Sequence, residues 1–193
     1  MRIELVMQCM WCGRRKVPTE PIEKTCCNST AKTLFSLGSY ENPVLSALIK
    51  AAKIQKYTDI YAFLGSLIAT ELTPIKPQLN QFTLVPIPAY AKTKSLRGFN
   101  HAQLFTHSLF CQLHIPIAEP MVKLKDTTPQ HTLAAYDRFQ TIKGAFGIKL
   151  HAHIPSHVLL VDDVKTTGAT LREATRILKV AGAKQVCALT IAS

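Results

Sequence analysis

The sequence predicts an α/β protein with a parallel sheet and flanking helices. Helical patterns alternate along the chain with short, mostly apolar runs, as in strands buried on both faces. The chain has 193 residues, about the length of one domain with a small appendage. No internal repeat or low-complexity segment interrupts this alternation.

Residues 1–37 are predicted to form an irregular leader that carries most of the cysteines. Four of the six cysteines fall there, Cys9, Cys12, Cys26 and Cys27. Since no secretory signal precedes them, their clustering indicates metal binding before disulfides. The other two cysteines lie in apolar surroundings and are expected in the core; they are Cys111 and Cys187.

The spacing from Cys9 to Cys12 lets both thiolates bind one ion. Cys26 and Cys27 are adjacent, so the identity of the fourth metal ligand is left open. One interpretation is a structural zinc module over residues 1–37 with these four cysteines as ligands, and the other is a leader without metal. A redox pair is disfavoured because no βαβ unit follows the Cys-x-x-Cys.

Cap and turn residues bound the elements that follow. Asn42, Thr58 and Asn100 are candidate N-caps, and Gly182 fits the C-terminal end of the last helix. Helices are expected from residue 43, over 58–72, from 100 to about 113, near 133–142 and over about 170–181. Strands are expected over 82–87, 121–124, 157–161 and 185–192.

The most informative segment runs from residue 158 to 170, VLLVDDVKTTGAT. Four apolar residues predict a strand, and Asp162 and Asp163 stand at its carboxyl end, where ligands bind in open α/β sheets. The loop that follows opens a helix, and its glycine, hydroxyls and unpaired N–H groups suit a phosphate monoester. The two carboxylates would accept hydrogen bonds from sugar hydroxyls, the alternative being that they are ordinary strand-end caps.

Other phosphate-binding and nucleophile motifs are absent from the sequence. An apolar strand that ends in Asp-Asp also occurs in P-loop ATPases, but these need an upstream Gly-Lys, and no Gly-Lys occurs here. There is also no Gly-x-Gly-x-x-Gly and no Gly-x-Ser-x-Gly.

Segment 158–170 resembles the phosphoribosyl pyrophosphate signature of type I phosphoribosyltransferases. The resemblance implies a domain of that fold over residues 38–193, with Asp162 and Asp163 facing the ribose 2′- and 3′-hydroxyls. It also implies Mg²⁺ bound with phosphoribosyl pyrophosphate. The residues that would hold the 5′-phosphate are Thr166, Thr167, Gly168, Ala169 and Thr170.

Two further stretches are similar to the ComF/GntX family. One is LVPIP at 84–88 with RGFNHA at 97–102, and the other is TPQ at 128–130 with KGAF at 143–146. Members are competence-associated proteins with a zinc finger and a phosphoribosyltransferase-like domain, implicated in handling incoming single-stranded DNA. The resemblance thus implies zinc, single-stranded DNA and a competence helicase as partners. Adjacent Cys26 and Cys27 depart from the family's usual second Cys-x-x-Cys.

The net charge of +11 implies a polyanionic partner, such as nucleic acid, a phosphorylated metabolite or an acidic membrane surface. No acidic residue occurs between Leu72 and Ala118. The basic residues of that stretch include Lys76, Lys92, Lys94 and Arg97. A solvated basic face is the alternative.

Arg97 is the third candidate catalytic residue beside Asp162 and Asp163, since its loop follows a strand and it could reach a pyrophosphate or phosphodiester. Its alternative role is to cap a helix. Gln130 and Arg138 would position a ligand or serve structure only. Lys50 and Lys53 match basic positions at the rim of the family's site but are expected on solvated surface.

Two functions stay open, a Mg²⁺-dependent phosphoribosyltransferase acting on an unidentified acceptor and a nucleic-acid-handling protein that keeps the phosphate site. For the second, the candidate stacking aromatics are Trp11, Phe99, Phe105 and Phe110, although Phe105 and Phe110 are expected in the core. No apolar run approaches the roughly 18 residues of a membrane span. We therefore expect a cytoplasmic protein.

Overall fold

The computed structural model describes residues 5–16, 31–92, 95, 98–127 and 141–193. Its main sheet is built from β1 Val6–Cys9, β2 Ala31–Ser36, β3 Thr83–Pro86, β6 His157–Val164 and β7 Gln185–Ala192. The strand order is β1-β2-β7-β6-β3. β1 pairs antiparallel with β2, and the other three pairings are parallel. The mostly parallel sheet predicted from the sequence is confirmed.

Helices and a second, smaller strand pair complete the described fold. The helices are α1 Pro43–Ile54, α2 Asp59–Leu72, α3 Lys76–Leu79, α4 His101–Leu113 and α5 Ala169–Val180. A 3₁₀ turn spans Thr73–Ile75. The smaller pair joins β4 Met121–Lys123 to β5 Phe146–Ile148 in antiparallel register. Sequence patterns predicted β4 but not the three-residue β5.

The sheet is covered on both faces, which explains why its central strands are mostly apolar. All eight residues of β7 are buried. Successive side chains of a strand point to opposite faces. Leu159 and Val161 of β6 therefore join the core cluster formed with α1, α2 and α4, whereas Val158 and Leu160 join the cluster formed with α5.

Two of the three predicted N-caps are confirmed. The Oδ1 atom of Asn42 accepts hydrogen bonds from the N–H groups of Val44 and Leu45 at 3.0 and 3.3 Å. Oδ1 of Asn100 accepts from Ala102 at 3.1 Å. Thr58 precedes α2 but makes no side-chain cap hydrogen bond. Its backbone is already helical, whereas an N-cap that bonds the first turn takes an extended conformation.

The leader predicted to be irregular contains two strands, and in this the prediction was wrong. Phe35 of β2 is fully buried and lies beside Leu189 of β7 in the register of the parallel pair. β1 and β2 are only four and six residues long, too short to show a clear period. The described part of residues 1–37 is thus joined to the main sheet, while a zinc module there stays a prediction.

Several other predictions of burial and boundaries need correction or fall outside the structure. Phe110 and Cys111 are exposed on α4, whereas Phe105 and Cys187 are buried as predicted. β6 continues to Val164, so the two aspartates belong to the strand. Most of the helix predicted near 133–142 lies outside the described residues. No helix of the described part is long and apolar enough to cross a membrane.

Candidate functional site

Asp162 and Asp163 lie at the carboxyl end of β6, which runs between β3 and β7. Because they are consecutive in a strand, their side chains leave on opposite faces of the sheet. Asp163 is on the face of α1, where its Oδ2 lies 2.7 Å from Nζ of Lys53. The Asp163 side chain is only 14% exposed. The ion pair joins α1 to the site, although Lys53 was expected on solvated surface.

Asp162 is on the other face and is held in a different electrostatic environment. Its Oδ1 accepts a hydrogen bond from the N–H of Asp163 at 2.9 Å. Burial and then the negative charge of Asp163 raise the pKa of Asp162 from 3.8 to about 7, against smaller opposing effects that include the charges of Lys53 and Lys123. Near neutral pH the carboxyl therefore takes up and releases a proton, and a nearby ligand or cation would change its charge.

A buried hydroxyl lies next to Asp162 on the neighbouring strand. Thr190 of β7 is paired with Asp162 in the parallel register and shares its face of the sheet. Thr190 is fully buried, and its Oγ1 has no hydrogen-bond partner among the residues that the structure describes. This hydroxyl was missed because β7 was interpreted as plain core strand. Only the strand register brings it beside the aspartate.

The segment from Lys165 to Thr170, here called the phosphate loop, connects β6 to α5. The Lys165 N–H donates to the Ala192 carbonyl at 2.9 Å and fixes the start of the loop. Gly168 precedes α5 with φ +77°, a left-handed conformation that glycine adopts without strain. No side chain of the described residues caps α5, although the Ala169 N–H makes a long contact of 3.4 Å with Oγ1 of Thr167.

The helix N-terminus at the phosphate loop therefore suits an anion. The first N–H groups of a helix have no partner within the helix, and the helix dipole favours negative charge there. The five predicted phosphate-binding residues and the aspartates stand together at the carboxyl end of β6. The carboxyl end of the strands is where ligands bind in open α/β sheets.

Two cations lie at the phosphate loop, Lys165 as its first residue and Arg172 just after it. Lys165 is half-buried, and its pKa is lowered by burial and by the positive charge of Arg172, with Cys9 acting in the opposite direction. Arg172 lies on the first turn of α5, and its backbone N–H donates to the Gly168 carbonyl. Neither cation was predicted as a site residue, because a lysine and an arginine in these positions carry no motif signal of their own.

Arg97 lies outside the described residues, as do Gln130 and Arg138. The described end of its loop is anchored by Asn100, which caps α4 and also donates from Nδ2 to the Ile87 carbonyl at 2.9 Å. Just after β3, the Ile87 N–H donates to the Val161 carbonyl of β6 at 2.9 Å. Asn100 thus gives the RGFN stretch a structural role in closing its loop.

The KGAF stretch at 143–146 also has a structural role. The N–H of Gly144 donates to Oε1 of Glu173 on α5 at 2.8 Å. Glu173 is buried, and hydrogen bonds from Arg176 and Gly144 keep the pKa of its carboxyl below the ordinary value. The stretch is thereby tied to the helix that the phosphate loop opens.

The described cysteines of the leader lie on one tight turn. The Gly13 N–H donates to the Cys9 carbonyl at 3.0 Å, and the Cys9 N–H donates to the Arg14 carbonyl at 2.8 Å. Cys9 is buried and Cys12 is exposed. Two thiols on a turn are donors that Zn²⁺ prefers. Cys26 and Cys27 lie outside the described residues. Among the residues that the structure describes, no group of three metal-ligating side chains is found.

Comparison with known proteins agrees with this architecture. A model of the phosphoribosyl transferase domain matches residues 135–193, which include β6, the phosphate loop, α5 and β7. The fold and this match define the class, a phosphoribosyltransferase-like α/β protein.

Named relatives define the family within that class. Competence protein F of Haemophilus influenzae is 35% identical over 157 residues, which are 78% of this chain and 68% of that protein. DNA utilization protein YhgH of Escherichia coli is 32% identical over 158 residues, 79% of this chain and 68% of that protein. Competence protein ComFC of Bacillus subtilis is 27% identical over 137 residues, 71% and 54% of the two chains. The chain belongs to the ComF/GntX family.

Proposed function

We propose that this protein has a competence-associated role in which it binds a phosphoribosyl pyrophosphate-type ligand and takes part in handling single-stranded DNA during uptake. One observation carries the ligand proposal. The Asp162–Asp163 pair and the open N-terminus of α5 stand at the same carboxyl end of β6. The names of the relatives, a competence protein and a DNA utilization protein, support the process.

In this proposal the phosphate loop receives the 5′-phosphate. The residues that hold it are Thr166, Thr167, Gly168, Ala169 and Thr170. Asp162 and Asp163 receive the ribose hydroxyls and would also hold Mg²⁺, whose preferred ligands are oxygens. Bound Mg²⁺ would neutralise charge on the pyrophosphate. Arg97 is proposed to contact the same pyrophosphate from its loop.

The proposed zinc site uses the four cysteines of the leader. Cys9 and Cys12 supply two thiolates from one turn, and Cys26 and Cys27 are the proposed source of the others. Zinc would fix the turn by linking it to the segment that contains Cys26 and Cys27. Total zinc in the purified chain, compared with Cys9→Ser/Cys12→Ser, tests this directly. A wild-type chain without bound zinc would contradict it.

Single-stranded DNA is the proposed second ligand because of the charge. A site for one sugar phosphate accounts for only part of a net charge of +11. Between Leu72 and Ala118, where the sequence has no acidic residue, the Lys92 side chain is exposed. Backbone contacts from such cations would make binding depend strongly on salt and little on base sequence.

An active phosphoribosyltransferase with a small acceptor is the second candidate function. It is favoured by the paired carboxylates, which a protein that only bound DNA would not need. Such an enzyme would act by positioning the sugar and stabilising charge on the leaving pyrophosphate.

The test compares the wild type with Asp162→Asn/Asp163→Asn, using Glu71→Gln on the exposed side of α2 as a charge control. Calorimetry measures binding of phosphoribosyl pyrophosphate with Mg²⁺, and a pyrophosphate exchange assay measures turnover. We expect the double variant to lose ligand binding and the control to keep it. Absence of binding to the wild type would contradict the ligand proposal.

DNA binding is measured on the same three proteins across a range of salt concentrations. We expect the affinity for single-stranded DNA to fall steeply with salt in all of them, since the aspartates are not its proposed contacts. Salt-dependent binding without pyrophosphate exchange would contradict the enzyme. Exchange without salt-dependent DNA binding would contradict the DNA role.

A further inference from the structure

Helix α5 contacts the cysteine-bearing turn through the side chain of Arg172. The guanidinium carbon of Arg172 lies 4.6 Å from the centre of the Trp11 ring, a distance at which a cation is attracted to the face of an indole. Nη2 of the same guanidinium donates to the Trp11 carbonyl at 3.4 Å. The ring and the backbone of Trp11 therefore hold one guanidinium together.

Arg172 is also tied to the phosphate loop. Its backbone N–H donates to the Gly168 carbonyl at 2.9 Å, so Arg172 lies one helical turn after that glycine. Lys165 approaches Gly168 from the other end of the loop, since a Cβ placed on Gly168 would stand 3.4 Å from Cε of Lys165. The positive charge of Arg172 is close enough to lower the pKa of Lys165, so two half-buried cations lie near each other beside the proposed phosphate position.

Contact with Trp11 restricts the long side chain of Arg172 before any ligand arrives. A free arginine loses conformational entropy when it binds an anion, and one that is already held loses less. Trp11 is itself held, because it is partly buried against the core cluster that contains Leu171 and Leu178. Its position follows from packing as well as from the stacking contact.

We propose that Trp11 is a positioning residue of the phosphate site, which holds Arg172 at the N-terminal turn of α5 so that its guanidinium and Lys165 stabilise a bound phosphate group. The inference rests on the phosphate site proposed above. It extends that site to a turn far from the 158–170 motif in sequence. The turn and the phosphate loop then bind a phosphate-bearing ligand as one unit.

Trp11 provides its own probe, because the sequence contains one tryptophan. The full chain is titrated with inorganic phosphate, and separately with phosphoribosyl pyrophosphate and Mg²⁺, while tryptophan emission is recorded. Calorimetry measures the same binding independently. We expect the tryptophan emission to change as ligand is added, with the same midpoint as the calorimetric isotherm.

Two pairs of variants separate positioning from plain structure. Trp11→Phe keeps an aromatic face and Trp11→Leu removes it, and we expect only the second to weaken phosphate binding, by about threefold to thirtyfold. Arg172→Lys loses the planar stack and should weaken binding in the same direction. Arg176→Lys is the matched control, since Arg176 pairs with Glu173 and not with Trp11. Thermal unfolding is measured on each variant.

The outcomes distinguish this inference from the proposed function. If the wild type binds neither ligand by calorimetry, the proposed function fails and the inference fails with it. If the wild type binds but emission stays constant and folded Trp11→Leu binds equally well, the inference alone is overturned. If Trp11→Leu does not fold, the test uses Arg172→Lys. The inference is then overturned if folded Arg172→Lys binds phosphate as tightly as the wild type and the wild-type emission stays constant. Matched midpoints, with weaker binding in Arg172→Lys than in Arg176→Lys, support it.

Discussion

Asp162 and Asp163 are neighbours in sequence but belong to different environments. Asp163 faces α1 and has the ammonium group of Lys53 at 2.7 Å. Asp162 faces the α5 side, and burial together with the charge of Asp163 raises its pKa to about 7. The pair therefore offers one carboxyl that is ion-paired with Lys53 and one that changes its charge near neutral pH.

The raised pKa of Asp162 makes stability depend on pH. The folded chain holds this proton up to about pH 7, whereas the unfolded chain releases it near pH 4. Between those values the folded state binds more protons, so stability falls as pH rises. We expect Asp162→Asn to remove this slope and to gain about 1–3 kcal/mol over the wild type at pH 8.

Urea unfolding of the wild type and Asp162→Asn at pH 5 and pH 8 measures this difference. The advantage of the variant should be larger at pH 8 than at pH 5. An equal advantage at both values would mean that the pKa of Asp162 is not raised.

Lys53 and Lys50 lie on the same helix and give a matched pair of substitutions. Lys53→Met leaves the largely buried Asp163 carboxylate without its ammonium partner, and we expect it to destabilise the fold by about 1–2 kcal/mol. Lys50 is exposed, so Lys50→Met should change stability by less than about 0.5 kcal/mol. Thermal or urea unfolding checks both, and equal effects would contradict a specific Lys53–Asp163 pair.

The sequence could indicate candidate site residues that are adjacent in the chain, but not those that only tertiary contact brings beside them. The aspartates and the phosphate-loop residues follow one another in the chain, so a single segment revealed them. Lys53, Lys165 and Arg172 are ordinary cations in sequence. They become part of the site only when α1 and the turn at Trp11 pack against the carboxyl end of β6 and the N-terminal turn of α5.

At the scale of elements, the phosphate loop depends on Gly168. An alanine there would need φ +77°, and its Cβ would stand 3.4 Å from Cε of Lys165. Gly182 follows α5 with φ +114° and has open space around a Cβ position. We expect Gly168→Ala and Gly182→Ala each to lose about 1–2 kcal/mol of stability. Phosphate binding should weaken only in Gly168→Ala.

Calorimetry with inorganic phosphate, next to urea unfolding, separates the two glycine variants. Equal phosphate affinities would show that the loop conformation at Gly168 does not form the binding site. A loss in both variants would assign the effect to stability instead.

Element boundaries could be predicted where a cap or a long period marks them. Asn42 and Asn100 start helices as expected. α2 ends at Leu72, and the chain continues into a 3₁₀ turn and α3, where Pro74 and Pro77 each fall in a first helical turn. β1, β2 and β5 are short, and only their partners stabilise them as strands. Their existence therefore follows from pairing, which a local pattern does not contain.

At the scale of the whole molecule, composition predicted the class and left the ligands open. Apolar runs alternating with helices were enough for a mostly parallel sheet. The net charge of +11 indicated a polyanion. The ion pairs of Lys53 with Asp163 and of Arg176 with Glu173 leave this net charge unchanged, because each pair sums to zero.

The place of β7 in the sheet has a consequence for synthesis on the ribosome. β7 follows every other described strand in the chain, yet it lies between β2 and β6 and pairs with both. The sheet therefore remains in two parts until residues 185–192 have left the exit tunnel, and such late long-range pairing folds slowly. We expect stalled nascent chains that end at residue 184 to be cleaved readily by protease. Chains of 193 residues, extended by a linker that clears the tunnel, should resist cleavage, and equal resistance in both would contradict this order of folding.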